Sequence, residues 1–514
     1  MIRKHALPMA LGTLISAGLA FAQSGDWMNG GFDAQRSNWV RNDSKISVES
    51  LRKPGFAVVW KLKIEGTPTT PALMDFYIGY RGFRTLGFFG AASNRVIAVD
   101  TDLGRKEWEK NWPSNAGPAA PGCPGGMTSG VARPTAAAYP PLNPRGSGRG
   151  TPAKSGVGEP YKGAVTLRVE AAPRPPAPAV PIHRKPPASA PEVNPYAPRV
   201  QYLMALAADG KLHSMWVSNG NEATPPLPFL PPNAKASGLL VFDNTAYVTT
   251  ISGCGGVDNG VWALDLTTKQ VTHWKTAATG IAGSAGPVAG PDGRIYVAAA
   301  RELIALSPKK LETVGTYKTD GADFTSSPVV FDFKSRSLLA VAASDGRLHL
   351  LDTAALGSVL DISGAFGGQD FHPGGLASWH DRSGNRWILS SVSAGGNAQG
   401  FQTNGEVKNG AIAAWKLVEK EGAVKLEAGW MSRDLVSPNP PIIVNDVVFA
   451  LSGGVPHSGN AVLYALDSAT GRELWNSGAA MESNSITGAA AGGARVYAST
   501  QDGTQYAFGF PAEH

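Results

Sequence analysis

Ala461-Val462-Leu463-Tyr464-Ala465-Leu466-Asp467-Ser468-Ala469-Thr470-Gly471-Arg472-Glu473-Leu474-Trp475 is the stretch on which the fold turns. An apolar run ends at an aspartate, a turn closes on Thr-Gly, and a second run ends in tryptophan. Arg95–Trp108 and Gly260–Trp274 repeat the phrase. Weaker copies are Leu303–Ser307, Arg347–Asp352, Ala411–Lys416 and Thr504–Gly509, and Lys211–Trp216 is the most degenerate. The position after each apolar run falls at Asp100, Trp216, Asp265, Ser307, Asp352, Lys416, Asp467 and Gly509, with spacings of 116, 49, 42, 45, 64, 51 and 42 residues. A period in the forties is one four-stranded blade of a β-propeller. The sequence therefore predicts an all-β, eight-bladed propeller of antiparallel blades.

The turns agree with that reading. Asp209-Gly210, Asn259-Gly260, Asp345-Gly346, Asn409-Gly410 and Asp502-Gly503 each precede the third strand of a blade. Such pairs tolerate positive φ and predict type I′ hairpin turns. Leu338–Ala342 is continuously apolar, as a strand buried on both faces should be. The last unit, roughly 484–511, runs out after three strands. Phe56–Leu62 has no unit of its own. It is expected to supply the missing outer strand and close the ring, leaving only short, protected edges.

Composition bounds the rest. In 514 residues there are 62 Gly and 39 Pro, a surplus that belongs in turns and argues against a mainly helical chain. Residues 1–22 read as a secretory signal: Arg3, Lys4 and His5 lead an apolar stretch, and Ala20-Phe21-Ala22 offers small residues two apart. Cleavage is expected before Gln23, placing the mature protein (23–511 as one propeller domain) in the periplasm or outside the cell. No later stretch is long and apolar enough to span a bilayer. The net charge of +6 comes from the signal and from segment 113–198, which carries nine Lys or Arg against three Glu and 20 of the prolines. The remainder is slightly acidic. Nucleic-acid binding would need a basic surface with stacking residues on an ordered element, so that class is set aside. Segment 113–198 reads as a Pro-rich insertion, a loop or disordered excursion from the first blade. Cys123 and Cys254 are the only cysteines. An oxidising compartment would permit a disulfide, and the sequence leaves its existence open. There is no C-x-x-C-H for haem, and no C-x-x-C or H-E-x-x-H for zinc.

The repeat Ala465–Trp475 resembles the tryptophan-docking repeat of the pyrroloquinoline-quinone (PQQ) propellers, and Trp27-Met28-Asn29-Gly30-Gly31 followed by Arg36 resembles the start of the quinoprotein alcohol dehydrogenases. The resemblance covers most of 25–511. It implies eight blades, with PQQ and calcium at the mouth of the central channel. Catalytic members are expected to hold a pair of adjacent cysteines on the quinone, a Glu and an Asn on the metal, and an Asp as general base. The same repeats occur in non-enzymatic exported propellers. This chain has no adjacent cysteines, and Gly255 stands where the metal-binding Glu would fall, with Asp258 and Asn259 nearby. Cys254, in that stretch, is a candidate cofactor contact. Asp323 is the closest match to the general base and Asp320 its neighbour. The loop Gly367–Gly375 carries Asp370 and His372, a charge and a base among four glycines that allow close backbone approach. Gly395–Gly400 offers amides without a base.

Three functions follow. The first is an exported PQQ-type propeller with a degenerate redox site, binding a small molecule or protein at the channel mouth as a binding or scaffold module. The second is a PQQ-dependent dehydrogenase passing hydride from an alcohol or sugar to the quinone, with a separate cytochrome to reoxidise it. The third is a hydrolase or lyase, which no G-x-S-x-G supports.

Overall fold

A computed structural model describes residues 26–79, 82–113, 123, 125–135 and 202–511. The expected signal and most of the Pro-rich insertion lie outside them. Eight sheets form a ring. Their innermost strands are Ala72–Gly79, Val131–Ala132, Ala236–Phe242, Val288–Ala289, Val329–Phe333, Ala377–His380, Ile442–Val444 and Ala490–Gly492, which define blades 1 to 8. Blade 5 shows the pattern, with Val329–Phe333, Arg336–Ala343, Arg347–Asp352 and Val359–Ile362 paired in order. Its second strand is solvent-free from Leu338 to Ala343, because neighbouring blades cover both faces.

Ring closure is made by the first long strand. Ala57–Lys63 pairs antiparallel with Thr504–Gly509 and becomes the outer strand of blade 8. Trp60 then reaches blade 1, donating from Nε1 to the Thr101 carbonyl at 2.8 Å. The same dock recurs twice. Trp108 Nε1 donates to Val217 O at 2.8 Å, and Trp430 Nε1 to Ser468 O at 2.7 Å. Each ring lies on a glycine of the next blade: Gly104, Gly220 or Gly471. All three glycines have positive φ, and a Cβ there would sit within 2.2–2.5 Å of the indole. The corresponding turns of blades 3 and 4 use Lys269 and Leu311 in the same left-handed conformation. No tryptophan docks there. Blade 2 ends in the Pro-containing Glu222–Pro228, and Trp274 bonds Thr313 Oγ1 instead.

The centre of the ring is filled by the chain's own beginning. Residues 27–40 are almost wholly buried. Carbonyls of Trp27, Met28, Ala34, Gln35, Ser37 and Asn38 accept from Leu73, Arg133, Ala289, Val330, Ser378 and Ile443, on the inner strands of blades 1, 2, 4, 5, 6 and 7. Trp39–Val40 adds a parallel strand to blade 7. Arg36 is 1% exposed. Its guanidinium donates to Asn29 Oδ1 and Gly30 O within the segment, to Gly238 O at 2.9 Å and to Pro287 O at 3.2 Å. One side chain thus ties the segment to the lead-ins of blades 3 and 4.

Two expectations need correction. The Pro-rich insertion is not a single excursion from blade 1. Val131–Ala132 inside it is the innermost strand of blade 2, and the following link runs to Tyr202–Leu206 of the same blade. A two-residue strand beside Pro134 carries no periodicity to read. The Asp-Gly turns are not type I′ either. Gly210, Gly346 and Gly503 have positive φ while their aspartates do not. Gly210, Gly346 and Gly503 N–H groups donate back to Ala207, Ala343 and Thr500, so the glycine follows a turn as the left-handed residue. Hairpin turns with two left-handed residues occur instead at Asp243-Asn244 in blade 3, Glu421-Gly422 in blade 6 and Gly493-Ala494 in blade 8.

The closing seam carries a titratable group. Asp75, on the inner strand of blade 1, accepts from Thr85 Oγ1 at 3.0 Å and from the Gly493 N–H of blade 8. Its own N–H donates to Asp26 Oδ1 at 2.7 Å. Burial, reinforced by Asp26, pushes its carboxyl up to about 6. A raised folded-state pKa means that the protonated form favours folding. That contribution is complete below about pH 4 and is lost as pH rises through about 6. Asp75→Asn is therefore expected to gain on the wild type between pH 4 and 7, by roughly 1–3 kcal/mol at pH 7. Paired thermal melts across that window check it; an offset that does not change with pH would contradict it.

Candidate functional site

In each blade the link between the second and third strands, and the link to the next blade, lie on one face of the ring. All the sequence-selected residues fall on that face. Cys254 is in the blade 3 link, Asp320 and Asp323 lead from blade 4 into blade 5, and Asp370 and His372 lead from blade 5 into blade 6. They share that face without being assembled into a centre. Among the described residues no three His, Cys, Asp or Glu side chains come together to hold a metal ion.

Each residue has a local occupation. Cys254 is 2% exposed and bonded to Cys123, with Cα atoms 5.5 Å apart. The disulfide fastens the loop between blades 1 and 2 to blade 3. Asp320 and Asp323 are exposed. Asp323 N–H donates to Ser344 Oγ at 3.1 Å and its carbonyl accepts from Ser344 N, so the residue aligns two loops. Asp370 is an exposed turn residue at φ 48°. His372, also exposed, turns its Nδ1 onto Asp370 O at 3.0 Å. Asn259 uses both ends of its amide, donating to Ala278 O and Thr279 O and accepting from Gly253 N. Asp258 pairs with Lys275, which holds its carboxyl below the usual range.

Backbone hydrogen bonds link the lead-ins of blades 4, 5 and 6 on this face. The loop entering blade 6 reaches inward, and the Gly374 carbonyl accepts from Ser284 N at 3.1 Å and Ser327 N at 3.0 Å. These belong to the lead-ins of blades 4 and 5. A Cβ on Gly283 would lie 1.8 Å from Ser327 N and 2.4 Å from Gly374 O. On Gly238 it would lie 2.1 Å from Ala285 O. Main chains are thus in close contact across the lead-ins of blades 3 to 6. A groove of about 570 Å³ opens elsewhere, at the rim between blades 6 and 7. There Arg433 pairs with Glu473, and Asp434 is held by the Lys408 and Asn409 N–H groups.

Reading the sequence missed one pair on this face. Beneath the acidic loop, Tyr317 Oη lies 2.9 Å from His349 Nδ1, with Phe324 edge-on to the imidazole. Burial pushes the phenol up, helped by Asp320 and Asp345, and pushes the imidazole down. The signal was available as a repeat: Asp209-Gly210-Lys211-Leu212-His213 matches Asp345-Gly346-Arg347-Leu348-His349. His213 likewise lies between blades, 2.8 Å from Glu222 and against Trp112. Both histidines are 3–4% exposed, so they serve the packing of one blade on the next.

No family model matches the chain, and no curated protein matches its sequence. Solved structures share its fold. A europium-containing methanol dehydrogenase aligns at TM-score 0.59 and 11% identity, covering 95% of this chain and 98% of that one. A quinohemoprotein alcohol dehydrogenase from Pseudomonas putida HK5 aligns at 0.58 and 13%, covering 95% and 81%. Another from Comamonas testosteroni aligns at 0.55 and 13%, covering 96% and 82%. The chain is therefore an eight-bladed β-propeller, the fold it shares with these structures. At these identities the likeness concerns the fold and leaves activity to the site.

Proposed function

We propose that the chain is an exported propeller that acts as a binding or scaffold module and carries no working quinone centre. The observation behind this is the close backbone packing of the lead-ins of blades 4 to 6, where the Gly374 carbonyl bridges Ser284 and Ser327. The donor set points the same way. Gly255 cannot ligate a metal through a side chain, Asn259 is consumed in its loop, and the only disulfide joins residues 131 apart. PQQ and a hard cation do not fit these residues, so no hydride step is derived. Export is supported by the Cys123–Cys254 bond, which belongs to an oxidising compartment such as the periplasm or the exterior. A protein partner is the reading favoured for a face built of hydrogen-bonded loops.

The test is a titration with PQQ plus Ca²⁺, and with PQQ plus Eu³⁺, read as thermal stabilisation. A ligand at 100 times its Kd would add about 2.7 kcal/mol. The expected result is no shift with either metal. A saturable shift followed by alcohol-dependent dye reduction would replace this reading with the dehydrogenase, and a separate cytochrome would then be needed.

A further inference from the structure

The opposite face of the ring carries an apolar projection. In most blades the second strand starts pairing with the third at or within two residues of its first residue, as in Thr245↔Asp265 and Val447↔Asp467. In blade 1 that pairing starts only at Leu86↔Asp100. The preceding residues Gly82–Arg84 continue past the sheet, their backbone paired to Tyr77–Gly79 alone. Three residues of strand correspond to roughly 10 Å of projection. On one side of this ribbon Arg84 covers the Tyr77 ring at 5.5 Å and pairs with Glu107 at 3.0 Å. On the other side Ile78 and Phe83 are cross-strand partners, 68% and 73% exposed. Leu103, in the neighbouring turn of the same blade, is 68% exposed. A paired Ile and Phe held out on a ribbon is a docking element rather than scattered surface.

We propose that the occupant is residues 136–201 of the same chain. Where this segment starts and ends carries the argument. It links the first and second strands of blade 2, so both its ends lie on the face from which the blade 1 hairpin projects, one blade away. Thr135, the last described residue before it, is fixed beside Phe242 by backbone bonds to Val241 and Asp243. Tyr202 begins the returning strand. Sixty-six residues between two fixed points easily reach across one blade. The chemistry also matches. Pro-Arg-Pro-Pro-Ala-Pro-Ala-Val-Pro (173–181) is apolar and stiff, so it can cover Ile78, Phe83 and Leu103 with little loss of backbone entropy. This inference is independent of the absence of quinone chemistry.

Hydrogen exchange on the full chain, compared with a variant whose residues 142–195 are replaced by a short Gly-Ser linker, tests it. Amides of 77–85 should exchange about tenfold faster in the shortened chain, with blade 5 unchanged. In parallel, Ile78→Ser with Phe83→Ser in the full chain should speed tryptic cutting after Arg145, Arg149 and Lys154 several-fold, roughly in line with the lost protection. The second readout stands even if the shortened chain fails to fold. Exchange at 77–85 that ignores the shortening, or cutting that ignores the double substitution, would overturn the proposal. So would a dimer by light scattering that the double substitution abolishes, since the occupant would then be a second copy.

Discussion

Arg36→Ala is expected to destabilise the ring by about 3–5 kcal/mol, the cost of breaking a fully buried charged network. Four acceptors lose their donor at once: Asn29 Oδ1, Gly30 O, Gly238 O and Pro287 O. Water cannot replace it, because the segment around Arg36 is sealed by seven inner strands or their lead-ins. With an unfolding entropy of about 2.1 cal/mol/K per residue, a chain of this size should lose about 3–5 °C in Tm. Arg36→Lys keeps the charge but not the fork, and should recover only a minor part of the loss. Calorimetry on the three proteins decides it. A change below about 1 kcal/mol would mean that the central segment does not hold the blades together.

The second large effect is at the docked tryptophan between blades 6 and 7. Trp430 is 1% exposed and bonded to Ser468 O. Trp430→Ala should cost about 3–5 kcal/mol through the cavity and the lost bond. Gly471→Val acts on the same contact from the other side. It places a β-branched residue at φ 72° and a Cβ 2.2 Å from the indole. The two substitutions share one contact, so the double variant should fall well short of the sum of the singles. A double-mutant cycle by urea unfolding measures this; full additivity would contradict the dock. Lys269 and Leu311 give an internal control, since those left-handed turns carry no tryptophan and should accept Gly with little change.

Much of this was legible before the structure. The Asp467-to-Trp475 phrase fixed the blade, its recurrence fixed the number, and the orphan run at 56–62 identified the closing strand. These signals are periodic and local, so single-chain reading reaches them. The central segment was legible only as a family resemblance, because Trp27, Arg36 and Asn38 owe their burial to seven distant strands. Val131–Ala132 escaped because two residues cannot show an alternation, and Pro-rich composition on either side masked them. The acidic and Gly-rich loops share one face of the ring, as the blade order implies. Their chemistry could not be read from residue type, since Asp370 is placed by its φ and Asp323 by Ser344. Whether Cys123 meets Cys254 was likewise a question of three-dimensional distance, now answered at 5.5 Å between Cα atoms.

The account rests on a ring centre occupied by its own main chain. The most direct measurement is the absorbance spectrum and metal content of the protein purified from an exporting host grown with PQQ and calcium. Ordinary aromatic absorbance with no bound quinone and no stoichiometric calcium is the predicted result. Quinone and calcium recovered at one per chain would show that the mouth opens to take them, and would contradict it.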